Sequence, residues 1–150
     1  MKKTFLRFTY LLSALILFSC SPSNDVQKRG VLTKGDYYFT MYDSTGAVIM
    51  KGTMTIDNLT KTDISGTYKI NDLIQKDFEA IGVMEGKFNG SIDALTKAIF
   101  INTNPMIADA NVFFNVMYNY GQNKYIGEWR FSVFRRDAEP HKGKVELIQV

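Results

Sequence analysis

The 150-residue chain has one cysteine, one histidine, one tryptophan and three prolines. A lone cysteine, Cys20, cannot build a disulfide framework or a thiolate metal site. A lone histidine, His141, lies in a charged loop between Pro140 and Lys142, with no second histidine to share a metal ion. It reads as an exposed loop residue. The chain also lacks a phosphate-binding loop, a dinucleotide fingerprint and a G-x-S-x-G elbow, and Asp57, Asp63, Asp72 and Asp77 do not have calcium-loop spacing. The expectation is a protein that is not an enzyme, with no catalytic residue, no cofactor and no metal.

Long apolar runs are scarce as well. One stretch, Phe8–Phe18, follows the basic residues Lys2, Lys3 and Arg7. It is too short to span a bilayer and polar sequence follows directly, which is the layout of a cleavable secretory signal. Removing it changes the charge. The net charge of +3 is carried by Lys2, Lys3 and Arg7, since eighteen basic residues less these three leave fifteen against fifteen acidic ones. A formally neutral mature chain gives no reason to expect nucleic acid as a partner.

The end of that run, Leu17-Phe18-Ser19-Cys20, resembles the lipobox of bacterial lipoprotein precursors. The resemblance covers residues 1–20. It implies a signal peptide over 1–19 cut before Cys20, a diacylglycerol on the Cys20 thiol, and an amino terminus acylated by a palmitate-like chain. Each buried CH₂ contributes about 0.8 kcal/mol, so two or three chains hold a protein on a membrane essentially permanently. Ser21 stands where lipoproteins retained at the inner membrane of enteric bacteria carry aspartate. The resemblance therefore implies a lipid-anchored protein of the bacterial cell envelope, at the outer membrane. Residues 20–34 read as the lipidated cysteine and a flexible tether spanning about 20 Å, and 35–150 as one domain of ordinary size.

From Gly35 the chain alternates apolar and polar residues and returns repeatedly to turn residues. Eight strands are expected: Tyr37–Tyr42, Val48–Ile56, Ile64–Ile70, Val83–Phe88, Ala98–Asn102, Val112–Tyr118, Tyr125–Phe134 and Val145–Val150. Asp57-Asn58 and Asn71-Asp72 are expected to end the second and third, and Asn89-Gly90 to form a tight hairpin after the fourth. Leu73–Ala80 is the helical candidate, capped by Asp72, with Ile74 and Phe78 on one face.

A glycine stands two residues before a large apolar residue in Gly52-x-Met54, Gly66-x-Tyr68, Gly86-x-Phe88, Gly127-x-Trp129 and Gly143-x-Val145. That spacing places both on one strand face, and glycine inside a strand marks a bend or a close backbone approach. Gly66, Gly86 and Gly127 are all expected at crowded corners. The same parity puts Met50, Met54, Tyr68, Ile70, Met84, Phe88, Trp129, Phe131, Val133, Val145 and Leu147 inside, and Lys51, Thr53, Lys69, Glu85, Glu128, Lys144 and Glu146 outside. The fold class expected is all-β, an eight-stranded antiparallel up-and-down meander closed as a barrel, in preference to a two-sheet β-sandwich. Residues 35–150 resemble the small calycin barrels of the lipocalin, fatty-acid-binding protein and avidin families. Ser65-Gly66-Thr67-Tyr68 and Gly127-Glu128-Trp129 look like avidin strands. Avidins line their ligand site with several tryptophans and this chain has one, so no binding residue is carried over.

Two functions are expected, in order. The first is a non-catalytic envelope lipoprotein whose barrel binds a small apolar or amphipathic ligand, lined by Met50, Met54, Tyr68, Met84, Phe88, Trp129 and Phe131 under a Leu73–Ala80 lid. Flexible methionines suit varied apolar ligands. The second is a protein-interaction or inhibitor module that meets an envelope protein through its loops or an outer aromatic patch. Tyr37, Tyr38, Phe39, Tyr42, Phe113, Phe114, Tyr118, Tyr120 and Tyr125 exceed what one inner face can absorb, which motivates it. Arg130, Arg135, Arg136, Lys142 and Lys144, interleaved with Asp137, Glu139 and Glu146, read as a salt-bridged rim or a contact for anionic lipid headgroups.

Overall fold

A computed structural model describes residues 30–76, 78, 84–106, 111–132 and 141–150. The eight strands are β1 (Gly35–Tyr42), β2 (Val48–Leu59), β3 (Asp63–Leu73), β4 (Glu85–Ile92), β5 (Ile99–Asn102), β6 (Asn111–Asn119), β7 (Lys124–Ser132) and β8 (Lys142–Gln149). Each pairs antiparallel with the next, and β8 pairs with β1 from Tyr37↔Gln149 to Met41↔Val145. The sheet is therefore a closed up-and-down barrel of lipocalin-like architecture, and the sandwich alternative is excluded.

Closure depends on size pairing across strands. Inner-facing large residues stand directly opposite inner-facing glycines: Phe39 and Gly52, Phe88 and Gly66, Tyr68 and Gly86, Trp129 and Gly143. Each ring lies over a position with no side chain of its own. At Gly52, Gly66, Gly90, Gly127 and Gly143 a Cβ would also collide with a carbonyl oxygen of a neighbouring strand. These strands coil so tightly that only glycine fits there. Gly86 differs, because a Cβ would meet only the Tyr68 ring, at 3.2 Å.

Three turn signals are overridden by pairing. Asn89-Gly90 lies inside β4, with Gly90 opposite both Ile64 and Ile101, and the connection to β5 comes later, around Asp93–Lys97. The glycine serves the close approach of the Phe100 carbonyl rather than a type I′ turn. Asp57 is a bulge residue within β2, and a register shift opposite Lys51 and Gly52 carries β3 past Asn71-Asp72 to Leu73. Asp43-Ser44-Thr45-Gly46 is a turn, as expected. Asp43 Oδ1 accepts from the N–H of Thr45 at 2.8 Å and of Ala47 at 2.9 Å, and Gly46 has φ +89°.

The Leu73–Ala80 helix does not form among its described residues. Leu73 closes β3, and residues 76 and 78 belong to a single 3₁₀ turn. The backbone N–H groups of Ile74 and Gln75 both donate to the Ile49 carbonyl, which ties the segment to β2 instead of to its own next turn. The tether expectation also needs correction at its end. Leu32 packs on the core, and the Tyr37 hydroxyl accepts from Thr33 N–H and donates to Thr33 O, both at 3.0 Å. Gln149 Nε2 donates to Thr33 Oγ1 at 2.6 Å. Residues 30–34 are thus a strap on the barrel rather than free chain. The signal peptide, Cys20 and residues 21–29 lie outside the described residues.

Candidate functional site

Alternation places the residues expected to line a cavity, and packing decides whether there is one. Met50, Met54, Phe88 and Trp129 face inward as expected and are 0–2% exposed, within one cluster with Phe39, Phe114, Tyr68 and Ile101. Phe39 and Phe114 meet across the interior with ring centres 5.9 Å apart. Side chains with no accessible surface leave no water-sized space beside them. The structure brings these residues together as a packed core. Phe131 is half-buried at its edge. Met84 is corrected: it precedes β4 and is 47% exposed, so the parity that placed it inside does not apply. Val133 lies outside the described residues.

The two ends of the barrel differ. At the end carrying the β1–β2 and β3–β4 connections, Phe78 sets its ring edge against Trp129 at 6.3 Å and against His141 at 5.6 Å. Of the expected Leu73–Ala80 lid, Phe78 is the described residue that makes these two contacts. His141 is exposed, as expected. Deeper in, Thr103 and Asn111 are buried, Asn104 Nδ2 and Asn111 Oδ1 have no hydrogen-bond partner among the described residues, and the Tyr68 hydroxyl reaches Thr103.

The opposite end, where the strap lies, is built from tyrosines. Tyr118 packs edge-on against Tyr120 at 5.0 Å and Tyr125 at 5.1 Å, and Tyr125 against Tyr37 at 6.3 Å. The Tyr125 hydroxyl is buried without a partner among the described residues, and burial raises its pKa. A cleft of about 290 Å³ lies beside it, bordered by Gly30, Val31, Tyr118, Lys124 and Gln149.

Outside, two features stand out. Phe100 and Phe113 stack with ring centres 5.4 Å apart, and Phe100 borders an open groove of about 700 Å³ with Asn58, Asp63, Ser65, Asn89 and Ser91. Farther round, Glu146 receives Lys144 Nζ at 2.6 Å, Lys124 Nζ at 2.9 Å and the Tyr42 hydroxyl at 3.2 Å. These covering side chains leave Glu146 only 8% exposed although its strand position faces outward. Burial opposes its charge, but the hydrogen bonds from Lys144 and Lys124 prevail and hold its pKa below the ordinary value. Part of the expected salt-bridged rim is present here; Arg135, Arg136, Asp137 and Glu139 lie outside the described residues.

No group of three or more metal-ligating side chains occurs among the described residues. Comparison with known protein families, curated proteins and solved structures returns no match. Sequence reasoning did not single out Phe100, Leu95 or Val31. An exposed position in a strand or turn carries no periodic signal of its own.

Proposed function

We propose that this protein is a non-catalytic, lipid-anchored lipoprotein of the bacterial cell envelope, held at the outer membrane through Cys20, whose barrel is a scaffold for contact with another envelope protein. The observation that supports this reading best is the Phe100–Phe113 stack on the outer wall. Aromatic surface left in water above a polar groove is the composition of an interface anchor, and the close packing of the described core residues favours a contact on the outer wall. A photo-crosslinking residue at position 100 of the full-length chain, in cells, should form one discrete adduct that Phe113→Ser abolishes. The same group at Lys51, on the outer face of β2, should form none. Equal labelling at both positions would overturn the interface. The anchor has its own readout: a diacylglycerol mass on Cys20, with Cys20→Ser released from membranes.

A second reading keeps a small amphipathic ligand but moves it from the interior to one end. Asn104 Nδ2 and Asn111 Oδ1, buried without partners among the described residues, are groups that a polar head would satisfy. Native mass spectrometry of protein purified from cells, with a fluorescent lipid titration, tests it. No retained compound and no saturable binding would remove it.

A further inference from the structure

The strands run so that the strap, the β2–β3, β4–β5 and β6–β7 connections and the end of β8 all meet at one end of the barrel. Three separate segments there push apolar side chains into water. Leu95, in the β4–β5 connection, is 92% exposed; Tyr120, after β6, is 79% exposed; Val31, in the strap, is 62% exposed.

The turn that carries Leu95 is rigid. Asp93 Oδ1 accepts from Leu95 N–H at 3.0 Å, Thr96 N–H at 2.7 Å and the Thr96 hydroxyl at 2.9 Å. Asp93 N–H donates to Ala98 O, and Lys97 N–H to Asp93 O. These bonds hold the turn with the Leu95 side chain directed into solvent. Tyr120 is fixed as well, edge-on to Tyr118, with a Gln122 N–H to Asn119 O bond closing the next turn. A leucine, a tyrosine and a valine held mostly in water bury little apolar area within the domain, and tyrosine with aliphatic residues is the composition that settles at a bilayer interface.

The anchor supplies the occupant. Nine residues lie between Cys20 and Gly30, and Gly30 lies at this end, against Tyr118 and Tyr120. The tether expected from the sequence would span about 17 Å on average over that length. That is less than the length of an eight-residue strand, about 26 Å, so the end bearing Gly30 stays nearest the lipid. Lys34, Lys61, Lys97 and Lys124 are equalled in number there by Asp36, Asp57, Asp63 and Asp93, so the described residues of this end give no net attraction to anionic lipid.

We infer that the barrel stands on the bilayer through this end, with Val31, Leu95 and Tyr120 inserted at the headgroup boundary and the opposite end directed away from the membrane. This inference rests on the lipid anchor proposed above. The test uses the full-length lipidated protein in phosphatidylcholine vesicles containing brominated phosphatidylcholine. Tryptophan is introduced as Leu95→Trp or, at the other end, as Met106→Trp, which replaces a side chain that is also exposed. Trp129, fully buried, supplies a constant background. Leu95→Trp should be quenched at least threefold more strongly than Met106→Trp. Equal quenching, or stronger quenching at Met106, would overturn the orientation. Flotation of the same vesicles separates the two readings. Protein that floats with unquenched Leu95→Trp refutes the orientation and leaves the anchor standing. Protein that does not float, like Cys20→Ser, refutes the anchor and the orientation with it.

Discussion

The Trp129 indole N–H donates to the Tyr42 carbonyl at 2.7 Å, reaching across Gly143 on the strand between them. One bond thereby links β7 to the end of β1 over β8, at the seam where the barrel closes. It exists only because position 143 has no side chain. A Cβ there would stand 2.9 Å from the indole nitrogen and would collide with the Tyr42 carbonyl. Gly143→Ala should cost about 1–3 kcal/mol, the usual range for overpacking, and should move the Trp129 emission to longer wavelength. Denaturant unfolding and a fluorescence spectrum check both.

The strand glycines should separate into two kinds. Gly66→Ala and Gly127→Ala each drive a Cβ into a backbone carbonyl, of Thr55 and Asn115, and should cost about 2–3 kcal/mol. Gly86→Ala meets only the Tyr68 ring, which can shift by a few tenths of an ångström. It should change stability by less than about 1 kcal/mol, because the strand preference for a side chain offsets the contact. Urea midpoints of the three variants test this. Equal losses would mean that the tight coiling at Gly66 and Gly127 is not what closes the sheet.

Glu146 should govern the acid limb of stability. Its folded pKa lies below the ordinary 4.5. Its contribution is therefore present above that value and lost as pH falls through the folded pKa. Lys144, raised by its hydrogen bond to Glu146, and Tyr42, raised by burial and then by Glu146, act on the alkaline side. Their contributions are intact below the unfolded values and lost as pH rises through the folded ones. Glu146→Gln should lower stability at pH 7 by about 1–2 kcal/mol and flatten its fall below pH 4.5. Thermal unfolding across a pH series provides the comparison.

Lys97 has φ +60°, in the region a branched Cα resists, whereas Asn123 at φ +52° has a side chain that tolerates it. Lys97→Gly should raise stability by about 0.5–1 kcal/mol, the left-handed strain relieved less the entropy glycine adds to the unfolded chain. Asn123→Gly should lower it, because the Asn123 side chain accepts the Tyr118 hydroxyl. Unfolding midpoints should move in opposite directions.

Strand number, antiparallel meander and the inward side of most strands were all legible in the sequence. Each rests on a period of two, and Met50, Met54, Tyr68, Phe88 and Trp129 obey it. The glycine repeat was legible for the same reason, since glycine before a large residue on one face appears in the one-dimensional pattern. Turn chemistry was less dependable. Asn89-Gly90 has the residues of a hairpin, yet two neighbouring strands pair through it and use its glycine for close approach. Met84 was misplaced because the parity of β4 begins only at Glu85.

Residue types and their spacing, then, determined by themselves that this chain forms a meander of alternating strands, because alternation and the Gly-x-large spacing are local properties. Only the tertiary structure decided that the interior is filled at the described core residues, that Glu146 is buried on an outer face, and that the strap, Leu95 and Tyr120 share one end. Each of these depends on which strands meet across the closure and how far apart their side chains then stand, and that distance is set by pairings between residues as remote as Tyr37 and Gln149.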